Sequence, residues 1–414
     1  MARSLTPTDV SAFLNLMTKE ITGQNGTIQS LDASSFVSAG EKIISYGVEN
    51  VYNAYSIVMG RTFAAVRPYK APLNIINAIN TDMFTNRFRK ISFYSRDSQE
   101  SGDFNTDKNT NFATGYTNGQ NSGASTPSMW EQNLPVPLEM NFAGQDTWED
   151  GTTIPEYQLK SAFRDMNEFR AVTEGVMTER GNDIESQKEG YNRMTLLNLI
   201  AGSIDLSASR PGSVINLTSD YNDEMGTSYT TAQLLTMDDF FRYFVYRFKL
   251  ASDYLKIRSS LYHWSPAKTI DGVSYTLLRH TPRDRQRAIL YDPMFIRAKT
   301  MVYPELFNPQ FLDINNFEPV IYWQNLNDPS AIDFTPAIPD VSGNTQIKGN
   351  RVQLGHVVGV LYDVDAMMTD YQLEEAAASP MEARKHYRNL WWTFSKNSIC
   401  DFTEKSITFI MQDE

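Results

Sequence analysis

The sequence predicts an α+β fold, and three stretches carry that prediction. Thr153 to Gly202 repeats apolar side chains at helical spacing, Ser92 to Asn133 is polar and lies between two extended runs, and Ala288 to Met411 alternates short apolar strands with helical turns. At 414 residues the chain exceeds the size at which a single core is usual, so two or more lobes are expected.

Residues 1–60 read as an arm. Asp9 to Glu20 sets Val10, Phe13, Leu14 and Met17 on one side of a short helix that cannot bury its own stripe, and Thr22 to Gly26 is a joint. A second periodic run extends from Phe36 to Met59. Residues 61–90 begin the body, and Thr62 to Leu73 reads as extended, with Pro68 and Pro72 forbidding a central strand. Residues 91–152 read as a projecting hairpin. Ser92 to Asn133 holds no Leu, Ile or Val, so it cannot build a core, and a loop of that length needs a role such as lying on a neighbouring subunit.

Residues 153–205 predict a spine helix. Leu159, Phe163, Met166, Phe169, Met194 and Leu197 fall on its packing stripe. Thr153 with Glu156 forms a capping-box pattern, Pro155 suits a first turn, and Gly202 suits a stop. Gly175, Gly181 and Gly190 each cost about 1 kcal/mol relative to Ala, and Gly181-Asn182-Asp183 predicts a bend near residue 181. Residues 206–376 form a mixed lobe. Ile204 to Thr230 reads as irregular, Met237 to Leu255 as a helix opened by Thr236, and Asp328 to Asn350 as a loop. Residues 377–414 hold two extended runs, His386 to Phe394 and Lys405 to Met411, which read as an antiparallel pair. Trp391, Trp392 and Phe394 are placed to pack on the spine.

Net charge is −12, which opposes a nucleic-acid reader dependent on many phosphate contacts, though not a container that must avoid gripping DNA. Cys400 is the lone cysteine, so no disulfide scaffold forms, and no window reaches the roughly 20 apolar residues that cross a bilayer. No signal peptide is visible, and the chain reads as soluble.

Enzyme signatures are missing: no nucleophile elbow, P-loop, dinucleotide fingerprint or zinc-protease helix occurs. His263, His280, His356 and His386 lie too far apart in sequence to suggest a metal, and surface or satisfied polar contacts are the plainer reading. Asp103, Asn105, Asp107 and Asn109 mimic the start of a calcium loop that then fails at Lys108 and Thr114. Asp363 and Asp365 suit either a carboxylate pair or, more simply, a helix N-terminus. Trp391-Trp392 could stack on bases, but without basic interleaving a packing or subunit-interface role is the simpler one. The expectation is therefore no catalytic residue, no cofactor and no metal.

The order of parts resembles the HK97-like major capsid fold of tailed bacteriophages. Glu156 to Phe163, Glu189 to Leu197, Val360 to Tyr371 and Tyr387 to Phe394 are similar in spacing to capsid proteins of phi-29-type short-tailed phages. The resemblance implies an N-arm (1–60), the start of a P domain (61–90), an E-loop (91–152), the P-domain spine (153–205), an A domain (206–376) and P-domain C-terminal strands (377–414). It implies a homo-oligomer of hexamers and pentamers in a virion shell, assembled in the host cytoplasm with a scaffolding protein and a portal around non-specifically contacted double-stranded DNA, and away from membranes. The acidic balance would keep the inner wall from holding that DNA tightly. No Lys–Asn crosslink pair maps onto this chain. The chain stops soon after Met411, so no immunoglobulin-like appendage is expected. A surface fibre or adhesin subunit is the alternative that the Asn/Thr/Ser/Gly-rich middle suggests.

Overall fold

A computed structural model describes residues 7–23, 33–46, 50–51, 54, 73, 76–79, 88–95, 134–142, 146–157, 166–266, 268–270, 273–301, 317–340 and 345–413. The calcium-loop-like run at Asp103 to Thr114, the extended run Thr62 to Leu73 apart from Leu73 itself, and the hairpin tip lie outside these residues.

In the arm, α1 (Pro7–Thr22) buries Phe13, Leu14 and Met17, and α2 (Ala33–Ser45) buries Ile43. β1 (Asn77–Ile79) follows. The hairpin strands are β2 (Phe88–Phe93) and β3 (Pro137–Phe142), paired antiparallel from Phe88↔Phe142 to Phe93↔Pro137.

The expected helix start at Thr153 is a strand instead: β4 (Asp146–Pro155). The Thr153 hydroxyl donates to the Asn389 side-chain oxygen at 2.7 Å, and Glu156 faces His386 at 3.2 Å, so neither side chain caps a helix. Local capping chemistry loses here to a ten-residue ladder with a strand more than two hundred residues away. Helical backbone begins at Glu156, and the described spine is α3 (Met166–Asp205), 40 residues and roughly 60 Å long. It runs uninterrupted through Gly181, where a bend was expected, and past Gly202, where a stop was expected. Gly202 serves packing instead. A Cβ there would sit 2.3 Å from the Phe402 ring, so the residue gives helix and ring room to meet.

The region expected to be irregular folds as a 3₁₀ turn at Ser207–Ser209, β5 (Val214–Asn216) and α4 (Leu217–Met225). Asn216 starts that helix by accepting from the Thr218 N–H at 3.3 Å. Then come α5 (Thr231–Leu234), closed by a Thr230/Gln233 capping box, and α6 (Asp238–Leu255). Thr236 does not cap α6, because its hydroxyl donates to the Gln233 carbonyl. A small antiparallel pair, β6 (Lys268–Ile270) and β7 (Val273–Tyr275), leads to β8 (Gln286–Tyr291), α7 (Asp292–Met301) and β9 (Phe317–Val320). The expected 328–350 loop contains β10 (Ile332–Phe334), β11 (Ala337–Pro339) and β12 (Gln346–Lys348), with β13 (Val352–Leu354) after it. The chain ends with β14 (Val357–Asp363), β15 (Met367–Ala378), β16 (Tyr387–Cys400) and β17 (Ser406–Ile410).

Two sheets organise the body: β1-β15-β16-β4 and β5-β17-β14-β8-β9. The two C-terminal runs are therefore not partners. β16 pairs with β15 and β4, whereas β17 pairs antiparallel with β14 and parallel with β5. Asp401 turns the chain between sheets by accepting from the backbone N–H and hydroxyl of Thr403 at 2.8 and 2.7 Å. The five-stranded sheet is covered on one face by α6 through Phe240, Phe241, Phe244 and Phe248, by α4 through Leu217 and Tyr221, and by α7 through Met294 and Phe295. Its other face joins the C-terminal half of α3, where Leu196, Leu197, Leu199 and Ile200 are buried with Trp323, Tyr362 and Phe402. Spine and sheet thus share one core.

Candidate assembly interface

β2 and β3 make a two-stranded ribbon whose faces differ. Leu138, Met140 and Phe142 turn inward and pack with Tyr94, Leu277, Met368 and Ile399. Alternation along β2 sends Arg89, Ile91 and Phe93 outward, with Ile91 50% and Phe93 58% exposed, and Leu134 75% exposed just before β3. Arg89 and Glu139 form an ion pair on that outer face at 2.8 Å.

The inner face is pinned by charge. Lys90 reaches between Asp401 and Glu404, bonding both, with Glu404 at 2.7 Å. Arg279 donates to the Ser92 hydroxyl at 2.6 Å and lies 3.5 Å from Glu404. Arg258 donates to the Ser95 hydroxyl at 2.6 Å. Burial alone would lower the pKa of the Lys90 ammonium, but Asp401 and Glu404 outweigh it and hold the value above the ordinary lysine range. Burial pushes the Glu404 carboxyl up, against the pull of Lys90. Beneath the turn, fully buried Arg210 donates to the hydroxyls of Ser203 and Ser406 at 2.6 and 2.7 Å, which ties the end of α3 to β17. A ribbon fastened this way on its inner face leaves Ile91 and Phe93 exposed on its outer one.

The sequence-predicted packing residues are distributed unevenly. Leu159 and Phe163 lie outside the described residues, as do the side chains of Met166 and Phe169. Leu197 is buried. Met194 is 39% exposed and is corrected: α3 is enclosed by β15, β16 and β17, and the line Ser186, Gly190, Met194 at four-residue spacing is the side left open. Trp392 is buried and carries Arg180 at 5.5 Å from its ring, and Phe394 is half-buried. Trp391 is corrected too, being 43% exposed on the sheet face away from α3, over Gly151. Sequence reasoning missed Lys90, Arg279, Asp401 and Glu404. The clustered charges of Asp401, Glu404 and Lys405 were the visible signal, but nothing local says which distant cation the two carboxylates hold.

The weak chemical signals resolve into structure. Asp363 and Asp365 both pair with Arg285, and the Asp363 carboxylate accepts from the Asp365 N–H in a turn, not at a helix start. His263 is buried between the carbonyls of Trp264 and Ser259, at 3.1 and 3.2 Å. Cys400 is buried, and burial pushes its thiol up to about 12. Among the described residues no group of three or more His, Cys, Asp or Glu is placed to hold a metal ion, and no helix is long and apolar enough to cross a membrane.

No protein-family model and no curated protein matches the sequence. Solved structures do match. A chain in the capsid structure of Staphylococcus phage Andhra superposes over 83% of this chain and 85% of its own, with a TM-score of 0.50 and 8% identity. The two share a fold. A chain in a structure of the head fiber and inner core protein gp22 of native bacteriophage P68 covers 84% and 86% at a TM-score of 0.47 and 9% identity. One in the mature capsid of bacteriophage PhiM1 covers 84% and 88% at 0.42 and 9%. The last two scores are too low to carry weight. The mixed helix and sheet architecture is consistent with the HK97-like fold.

Proposed function

We propose that this chain is the shell-forming subunit of a tailed-bacteriophage head, of the phi-29-like short-tailed kind, acting by self-assembly and not by catalysis. The observation that carries the reading is the capsid-type fold over most of the chain, and it favours a shell over a fibre or adhesin. The ribbon supplies a mechanism. Its base is fastened to the body while Ile91, Phe93 and Leu134 are exposed, which offers apolar surface for burial on another subunit. Identical subunits joined by such heterologous contacts close into hexamers and pentamers. The proposed location is the virion, reached by assembly in the host cytoplasm with a scaffolding protein and a portal, around double-stranded DNA contacted without sequence preference.

The division into N-arm, E-loop, P domain and A domain is proposed in that order, with three boundaries moved to follow the sheets. β4 goes with β16 in place of the hairpin, β15 goes with β16 in place of the mixed lobe, and β17 goes with the five-stranded sheet of the mixed lobe. Negative-stain electron microscopy with sedimentation velocity, with and without a co-expressed scaffolding candidate, tests the reading. Shells, tubes or five- and six-membered rings are expected. A monodisperse monomer or dimer under both conditions overturns it.

A further inference from the structure

Charge changes sign abruptly in the mixed lobe. Leu217 to Asp239 holds five carboxylates and no Lys or Arg, whereas Phe240 to Ile270 holds six Lys or Arg and a single carboxylate, Asp253. Helix α6 carries this change along its length, and its 18 residues separate its ends by about 27 Å.

At the first end, the Tyr221 ring of α4 meets Phe240 and Tyr243 edge-on at 5.7 and 5.2 Å. That packing brings exposed Asp223 and Glu224 to the end that carries exposed Asp238 and Asp239. Asp220 and Asp239 are offset by Arg247 and Arg242, which leaves Asp223, Glu224 and Asp238 as the net charge. Met225 and Tyr229 stand exposed beside them. At the other end Asp253 is shared by Lys256 and Arg283 at 2.5 and 2.9 Å. Lys249 lies one turn earlier and Arg258 just beyond the helix, both exposed, and Ile257 and Leu261 are exposed between these charges.

The helix dipole accounts for acids in the first turn of α6 and for Lys256 at its C-cap. It does not account for Asp223 and Glu224 on another helix, for Arg258 and Arg283 beyond the end, or for exposed apolar side chains at both ends. An apolar centre rimmed by charge is how protein interfaces are built. Two such patches of opposite sign, at opposite ends of one helix, complement each other and repel themselves. We infer that the acidic end of α6 in one copy docks on the basic end of α6 in the next, a head-to-tail contact between copies of this chain. The inference rests on the shell reading for the ring that the contact closes.

Charge reversal tests it. K249E/K256E makes both ends acidic, and D223K/D238K makes both ends basic. Each variant, folded by circular dichroism and thermal melting, is expected to lose ring or shell formation by at least tenfold at roughly 0.15 M salt. Joining all four substitutions in one chain restores it. Mixing the two double variants in equal amounts restores only even-membered rings, because acidic and basic copies must alternate, so five-membered rings stay absent. Should a reversal unfold the chain, the salt response of the natural protein decides: its rings must weaken at 1 M salt, where screening acts within about 3 Å. Natural rings indifferent to salt, a folded double variant that assembles normally, or a folded four-fold variant that stays dispersed each overturns the contact while leaving the shell reading intact. A natural chain that forms no ring or shell overturns both.

Discussion

Gly202 and Gly190 sit on the same helix and make opposite demands. A Cβ at Gly202 would lie 2.3 Å from the Phe402 ring, while one at Gly190 meets nothing within 4 Å. Gly202→Ala is therefore expected to lower stability by about 1–3 kcal/mol through overpacking, and Gly190→Ala to raise it by up to about 1 kcal/mol through helix propensity. Paired thermal melts check both signs, and a stabilised Gly202→Ala would show that Phe402 is free to move. His263 gives the chain a pH response. Burial lowers its pKa to about 4, the nearby cations Arg210 and Lys405 act the same way, and the two carbonyl contacts only partly oppose them. Because the folded value lies below the unfolded one of about 6.5, the unfolded chain binds more protons between these values. Stability is full above about pH 6.5 and falls by roughly 3 kcal/mol as pH drops towards 4. Urea midpoints from pH 7 to 4.5 should show this slope, and His263→Asn should flatten it even if that variant is less stable throughout.

At the scale of elements, the anchor beneath the ribbon separates from its outer face in a testable way. Lys90→Ala leaves the Asp401 carboxylate, whose side chain is 0% exposed, without its ammonium, and breaking a buried pair costs about 3–5 kcal/mol. Arg89→Ala on the outer face removes a pair whose side chains are 56% and 42% exposed, so a change within about 0.5 kcal/mol is expected. Hydrogen exchange should quicken across Phe88–Phe93 and Pro137–Phe142 in the first variant and stay unchanged in the second. Equal protection in both would mean that apolar packing alone holds the ribbon. The ribbon itself was legible in the sequence, because apolar alternation stops abruptly at a long stretch without aliphatic residues. The long helix was legible from its periodicity. Asp146–Pro155 was misread because Thr153, Pro155 and Glu156 make a locally sound helix start, and only β16, brought in by the fold, outcompetes it. The same limit hid the anchor. Lys90 and Asp401 are 311 residues apart, and no local pattern pairs them. Likewise, the separation of β17 from β16 depends on the side-chain hydrogen bonds of one turn, which periodicity does not report.

For the whole molecule, the proposed shell requires a chain with net charge −12 to associate with copies of itself. Uniform acidity would repel, so association depends on where apolar surface and opposite charges are placed. The ribbon concentrates apolar surface: Ile91 and Phe93 are about half exposed, adjacent on one face, and backed by a base that Lys90 pins to the body. Burying the remaining half of each side chain on a neighbour contributes about 1 kcal/mol apiece, from roughly 1.5–3 kcal/mol for full burial. Their joint replacement, Ile91→Ser with Phe93→Ser, thus removes on the order of 2 kcal/mol from each ribbon contact, a factor of ten or more in association. The halves already buried within the subunit contribute about as much to its own folding, so the double variant is expected to lose about 2 kcal/mol of stability while remaining folded at the temperature of assembly. The expected outcome is a variant folded by circular dichroism that needs at least tenfold higher concentration to form rings or shells in sedimentation velocity. If the folded variant assembles at the natural concentration, the outer face of the ribbon is not what neighbouring subunits bury.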